Sequence, residues 1–143
     1  MKSVKVLDSW ALLAYFEGES SGTKVRELLK ESAEKEKNLL ISVINWGEVL
    51  YVIEARYGKT KRDEIENLMN QMHLEIVMVD KELAREAAHF KAMGKISYAD
   101  CFAAALAKTR KAALITGDKE FKSLEPALEI IWLKSRDSSL RSE

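Results

Sequence analysis

The chain has almost none of the features that would hold it together, or place it, by means other than packing. A single cysteine, Cys101, excludes an internal disulfide and makes a reducing cytoplasm the expected setting. Basic and acidic side chains balance at 23 each, so no global positive field draws in a polyanion. Any hold on nucleic acid must then come from a local patch or a bound metal. No apolar run reaches membrane-spanning length, no amino-terminal signal pattern is present, and no repeat, low-complexity tract or linker interrupts the chain. At 143 residues, nearly half of them apolar, one domain with a sound core is expected. It is placed at 1–133, followed by a flexible tail at 134–143 that lacks apolar spacing.

What is present is strands alternating with helices. The run VKVLD predicts a central strand, Lys2 to Leu7, that stops on the carboxylate of Asp8. WALLAYF predicts a short buried helix, and Glu17 to Gly22 a loop with Glu17 and Glu19 in solvent. An amphipathic helix follows from Thr23 to Lys37. LLIS, ending at Ser42, predicts the second strand. Ser42 or Asn45 then caps a helix over Trp46 to Tyr57, with Trp46, Leu50, Ile53 and Tyr57 on one stripe and Gly58 as its stop. Val49 and Val52 widen that apolar surface enough for a core on one side and a partner on the other. Further helices are expected over Lys61 to Met72, from Asp80 (the cap) to Gly94, and from Ser97 to about Arg110, the last with the small-residue face FAAALA. Glu75 to Val79, Ala113 to Thr116 and Glu129 to Leu133 predict three more strands. The apolar runs are too continuous for half-exposed strands and no strong hairpin signal occurs, so the fold class is α/β, a parallel sheet sandwiched between helices.

Ligands in open parallel sheets bind outside the carboxyl ends of the strands, where the strand order reverses. Asp8 follows strand one and Asp118 follows strand four. Glu48 and Asp100 lie early in helices that begin on that same edge. Four carboxylates in one cleft repel, so some take up protons or a cation settles between them. An oxygen-only ligand set without a histidine or cysteine cluster suits Mg²⁺ or Mn²⁺. Such a metal activates water, orients a phosphodiester and stabilises charge on the leaving oxygen, which is the chemistry of a hydrolytic nuclease.

The stretches LDSWALLAYF, INWGEVLY, SYADCFAAALA and LITGDKEF, in this order and spacing, resemble the PIN-domain family, in particular its VapC-type toxin ribonucleases. The resemblance runs from about Val4 to Leu133. It implies that Asp8, Glu48, Asp100 and Asp118 are the catalytic, metal-binding acids. Supporting hydroxyls fall at Ser9 and Thr116, and a further acid at Glu120, where aspartate is more usual. It also implies a five-stranded parallel sheet of order 3-2-1-4-5, a homodimer, Mg²⁺-dependent cleavage of single-stranded RNA (Mn²⁺ being possible) and inhibition by a small antitoxin protein. Trp10 stands where the family often has a small residue; it is expected to reshape the pocket wall and leave metal binding alone.

Plainer readings stand beside these. Asp8 and Asp80 fit helix caps, Ser97 to Asp100 a capping box, and Gly117-Asp118 a turn. His73 and His89 read as surface residues and Cys101 as a small buried apolar one. Lys59, Lys61, Arg62, Lys95 and Lys119 read either as solvated charge or as grips for RNA phosphates. Two other functions remain in play. One is a phosphoryl-accepting, receiver-like signalling domain with Asp80 and Lys134 at its pocket, although such a domain wants two acids after strand one and Asp8-Ser9 supplies one. The other is an RNA-binding PIN module without catalysis.

Overall fold

A computed structural model describes residues 4–134. The expected tail from 135 onward, and the first two residues of the expected first strand, lie outside the described residues. In chain order the elements are β1 (Lys5–Leu7), α1 (Ser9–Phe16), α2 (Gly22–Lys35), β2 (Leu39–Ser42), α3 (Val43–Tyr57), α4 (Lys59–Gln71), β3 (Leu74–Val77), α5 (Lys81–Met93), α6 (Tyr98–Thr109), β4 (Ala113–Thr116), a 3-10 helix (Lys119–Ala127) and β5 (Ile130–Trp132). Every strand pairing is parallel and the sheet order is β3-β2-β1-β4-β5. The order reverses between β1 and β4, so the crevice expected for a ligand opens there.

Side chains along each strand alternate between two cores, as the two-residue period of a strand requires. Val6, Leu40, Leu114 and Ile130 enter the core under α5, α6 and the 3-10 helix. Leu7, Leu39, Ile41, Ile115 and Ile131 enter the core under α1 to α4. Both faces of the sheet are covered, which is why the strands read as unbroken apolar runs. The alanines of α6 let that helix settle against the sheet: Ala103, Ala104, Ala105 and Ala107 are all fully buried.

Some boundaries differ from the sequence reading. Helix α3 begins at Val43 and not at Trp46, because the Ser42 hydroxyl accepts the Asn45 N–H at 3.1 Å and caps it. Asn45 is therefore inside the helix, and the buried stripe is Asn45, Val49 and Ile53, while Tyr57 is exposed. Glu17 is not a solvated loop residue. It caps the end of α1 and accepts from Arg56 Nη1 at 2.5 Å and from the Tyr57 hydroxyl at 2.9 Å, which joins the ends of α1 and α3. The 3-10 helix was not foreseen. Its buried Phe121 and Leu124 repeat at three residues, the turn of that helix, and not at the 3.6-residue period that marks an α-helix.

The sheet order also decides one alternative. A receiver-like domain has order 2-1-3-4-5, with its third strand inside the sheet. Here β3 is at the border, and the Asp80 side chain is engaged in capping α5 through the Leu83 N–H at 2.8 Å.

Candidate active site

Asp8 is the first residue past β1 and is fully buried. One carboxylate oxygen accepts the Ala11 N–H at 2.9 Å and caps α1; the other accepts the Thr116 hydroxyl at 2.5 Å. Burial pushes its carboxyl up to about 8. The two hydrogen bonds oppose the shift, and the charges of Asp100 and Asp118 add to it. Thr116 lies beside Asp8 because Leu7 pairs with Ile115 in the β1/β4 register, which sets the next residues of the two strands side by side. The same Thr116 oxygen accepts the Asp118 N–H at 3.0 Å, and Asp118 in turn accepts the Glu120 N–H at 3.0 Å. One hydroxyl thus orders two acids from different strands.

Two helix starts bring in the other acids. Ser9, at the head of α1, donates its hydroxyl to Glu48 of α3 at 2.5 Å. Asp100, in the first turn of α6, donates its N–H to the Ser97 cap at 3.2 Å. Burial first, then the charge of Asp118, pushes the Asp100 carboxyl up to about 6. The Ser97 bond works against that shift, and Glu48 and Glu120 reinforce it. Carboxylate oxygens of Asp100, Asp118 and Glu120 all lie within 4.8 Å of one another.

The acids singled out from sequence therefore gather at one mouth of the sheet, with a change of rank. Glu120 joins Asp100 and Asp118 in the tight group, while Asp8 and Glu48 stand beside it, each held by a hydroxyl and coupled to the group by charge. The capping readings of Asp8 and Ser97 hold as well, and Asp118, expected only at a turn, caps the 3-10 helix. Among the basic candidates, Lys61 pairs with Glu64, and Arg62 with Glu54 and Asp63, so those α4 charges are matched locally. Lys119 adjoins Asp118, and both Lys119 and Lys95 are exposed.

A positioning residue escaped the sequence reading. Asn45 is fully buried; its Oδ1 accepts the Ser42 hydroxyl at 2.6 Å and its Nδ2 donates to the Ala99 carbonyl at 3.1 Å. Ala99 precedes Asp100, and Asn45 precedes Glu48 by about one helical turn, so this amide ties the two acid-bearing helices together. The available signal was an asparagine inside an apolar helix start, where a buried amide must find partners.

Burial, and after it the charge of the neighbouring acids, raises the Asp8 and Asp100 carboxyls; a cation among them would offset both, and an all-oxygen donor set fits a hard divalent ion. The residues present suit such an ion, with Asp100, Asp118 and Glu120 placed to hold it and Asp8 and Glu48 behind them.

An all-parallel sheet of order 3-2-1-4-5 with acids at its switch point is a PIN-like α/β architecture. Residues 5–125 match the PIN domain family, and the chain belongs to it. A VapC ribonuclease of Mycobacterium bovis is 27% identical over 129 residues, 85% of this chain and 95% of that one. Among solved structures, the DNA-bound VapBC of Salmonella typhimurium superposes with a TM-score of 0.70 at 17% identity, over 90% of this chain and 96% of that one. VapC20 of Mycobacterium tuberculosis, a toxin that cleaves the sarcin–ricin loop, superposes with a TM-score of 0.63 at 13% identity, over 84% and 94%. At these identities the two structures speak for the fold.

Proposed function

We propose that this chain is a metal-dependent endoribonuclease of the VapC kind, the toxin of a toxin–antitoxin pair, acting on single-stranded RNA. The observation that carries this reading is the convergence of five acids from four separate segments at the β1/β4 mouth, three of them with oxygens within 4.8 Å. The ribonuclease named among its relatives and the VapBC complexes among its structural neighbours support it.

Mg²⁺, or Mn²⁺ in its place, would sit on Asp100, Asp118 and Glu120, with Asp8 and Glu48 completing the charge balance. When bound, it supplies Lewis acidity to water and to the phosphate. The reaction is hydrolysis: the water oxygen bonds to phosphorus, the P–O3′ bond breaks, and the products are a 5′ phosphate and a 3′ hydroxyl. This hydrolysis requires no side-chain nucleophile; Ser9 donates to Glu48 and Thr116 to Asp8, and both hydroxyls order the acids. Lys119 and Lys95 would steady the RNA backbone, and Lys59, Lys61 and Arg62 would add charge further out.

The reading extends to a small antitoxin, a homodimer and a cytoplasmic setting. Exposed Ile44 and Tyr51 on α3 give the dimer an apolar surface, and a buried free Cys101 suits a reducing compartment. No helix among the described residues is long and apolar enough to cross a membrane. Light scattering at micromolar concentration is expected to give twice the chain mass. The decisive assay is cleavage of a single-stranded RNA with Mg²⁺ by the wild type and by Asp8→Asn and Asp118→Asn. Both variants are expected to lose cleavage by about a hundredfold or more; variants that cut like the wild type would remove the proposed site.

A further inference from the structure

The five acids leave one contact at the site unexplained. Trp10 is the second residue of α1, two past Asp8, and Gly117 is the link between Thr116 and Asp118. A Cβ placed on Gly117 would stand 2.2 Å from Cη2, 2.3 Å from Cζ3 and 2.7 Å from Cζ2 of Trp10. The far end of the indole therefore rests on the bare peptide just before Asp118. Gly117 does not have a positive φ, so the backbone there accepts an ordinary residue, and the atoms nearest to an added Cβ all belong to the Trp10 ring.

The pair solves a local problem. Glycine is the residue with the most backbone freedom, and here it carries an acid whose position matters. Thr116 holds one side of this turn through the Asp118 N–H, and the Leu133 N–H holds the Thr116 carbonyl at 2.9 Å. Those bonds hold the peptide planes on either side of Gly117, but no side chain of its own anchors the Cα between them. The ring does, and Trp10 is in turn packed against the core beneath α1.

We propose that Trp10 is a positioning residue for Asp118. By pressing on Gly117 it fixes that carboxylate against Asp100 and Glu120 and so sets the affinity of the cluster for a divalent cation. This reverses the expectation that Trp10 shapes the pocket wall and leaves metal binding alone, and it rests on the metal-site reading above.

The test is calorimetric titration of the full chain with MnCl₂, without RNA, for the wild type, Trp10→Phe, Gly117→Ala and the double variant, with thermal unfolding of each recorded alongside. Each single change is expected to weaken Mn²⁺ binding about tenfold or more, the range seen when residues that orient metal ligands are altered. The double variant is expected to regain most of the lost affinity, because the shorter phenyl ring leaves the space that a methyl at position 117 takes. Should Gly117→Ala fail to fold, the comparison of Trp10→Phe with the double variant decides in the same way. Single variants that bind Mn²⁺ like the wild type, or a double variant no better than its weaker parent, would overturn the proposal. A wild-type chain that binds no Mn²⁺ would instead overturn the metal-site reading itself.

Discussion

Thr116 shows how little chemistry is needed to hold two acids. Its hydroxyl donates to Asp8 Oδ2 and accepts from the Asp118 N–H, and it is fully buried. Thr116→Val keeps the shape and removes both bonds, leaving a buried carboxylate oxygen and a backbone donor without partners. Cleavage measured at saturating Mg²⁺ is expected to fall by about 10- to 100-fold, with Thr116→Ser retaining most of it. Equal rates for the valine and serine variants would show that the hydroxyl orders nothing that matters. At this scale the sequence is informative about which acids converge and less so about which of them lie closest together. Asp8, Asp100 and Asp118 announce themselves by following an apolar strand or a cap. Glu120 does not, since it lies in a 3-10 helix that brings it back beside Asp118, and the single three-residue step from Phe121 to Leu124 is not the period of an α-helix. Asn45 was visible as a residue but not as a tether, because Ala99, its partner, is 54 positions away and offers only a carbonyl.

Elements were more legible than single contacts. Strand β4 was placed to the residue, and α5 and α6 nearly so, because a cap, an apolar run and a stop coincide at each. The start of α3 slipped by three residues since Ser42 and Asn45 both look like caps, and only the geometry chooses between them. Glu17 was misread for a related reason: its partners Arg56 and Tyr57 come from the far end of another helix. The all-small face of α6 is the element on which the layer spacing depends. Ala104→Leu adds three carbons where no surface is exposed, and overpacking of this kind costs about 1–3 kcal/mol. Urea unfolding is expected to show a lower midpoint with an unchanged slope. A midpoint equal to the wild type would mean that α6 has room the packing does not suggest.

For the whole molecule, zero net charge conceals a concentration of acid at one point, and on the proposed function stability is expected to depend on pH and metal together. The folded chain holds the Asp8 carboxyl up to about 8 and that of Asp100 up to about 6, against an ordinary value of 3.8. Below about pH 4 both groups are protonated folded or unfolded, and the contribution is level. As pH rises from there towards about 8, the unfolded chain gives up protons that the folded chain still keeps, so the folded state binds more protons and its stability falls with rising pH. A divalent cation reverses the cost by replacing those protons, and it competes best where they are held least. With EDTA present, the Tm is therefore expected to drop between about pH 5 and about pH 8, and millimolar Mg²⁺ is expected to restore more of it at the higher pH. Asp8→Asn removes the group with the larger shift, so it should flatten the metal-free profile and raise the Tm at about pH 8 even as it abolishes cleavage. Stability gained and function lost in one substitution would be the signature of a carboxylate whose charge is placed for a cation, even though the same side chain caps α1. A metal-free Tm that climbs with pH, or an Asp8→Asn chain less stable than the wild type at about pH 8, would contradict it.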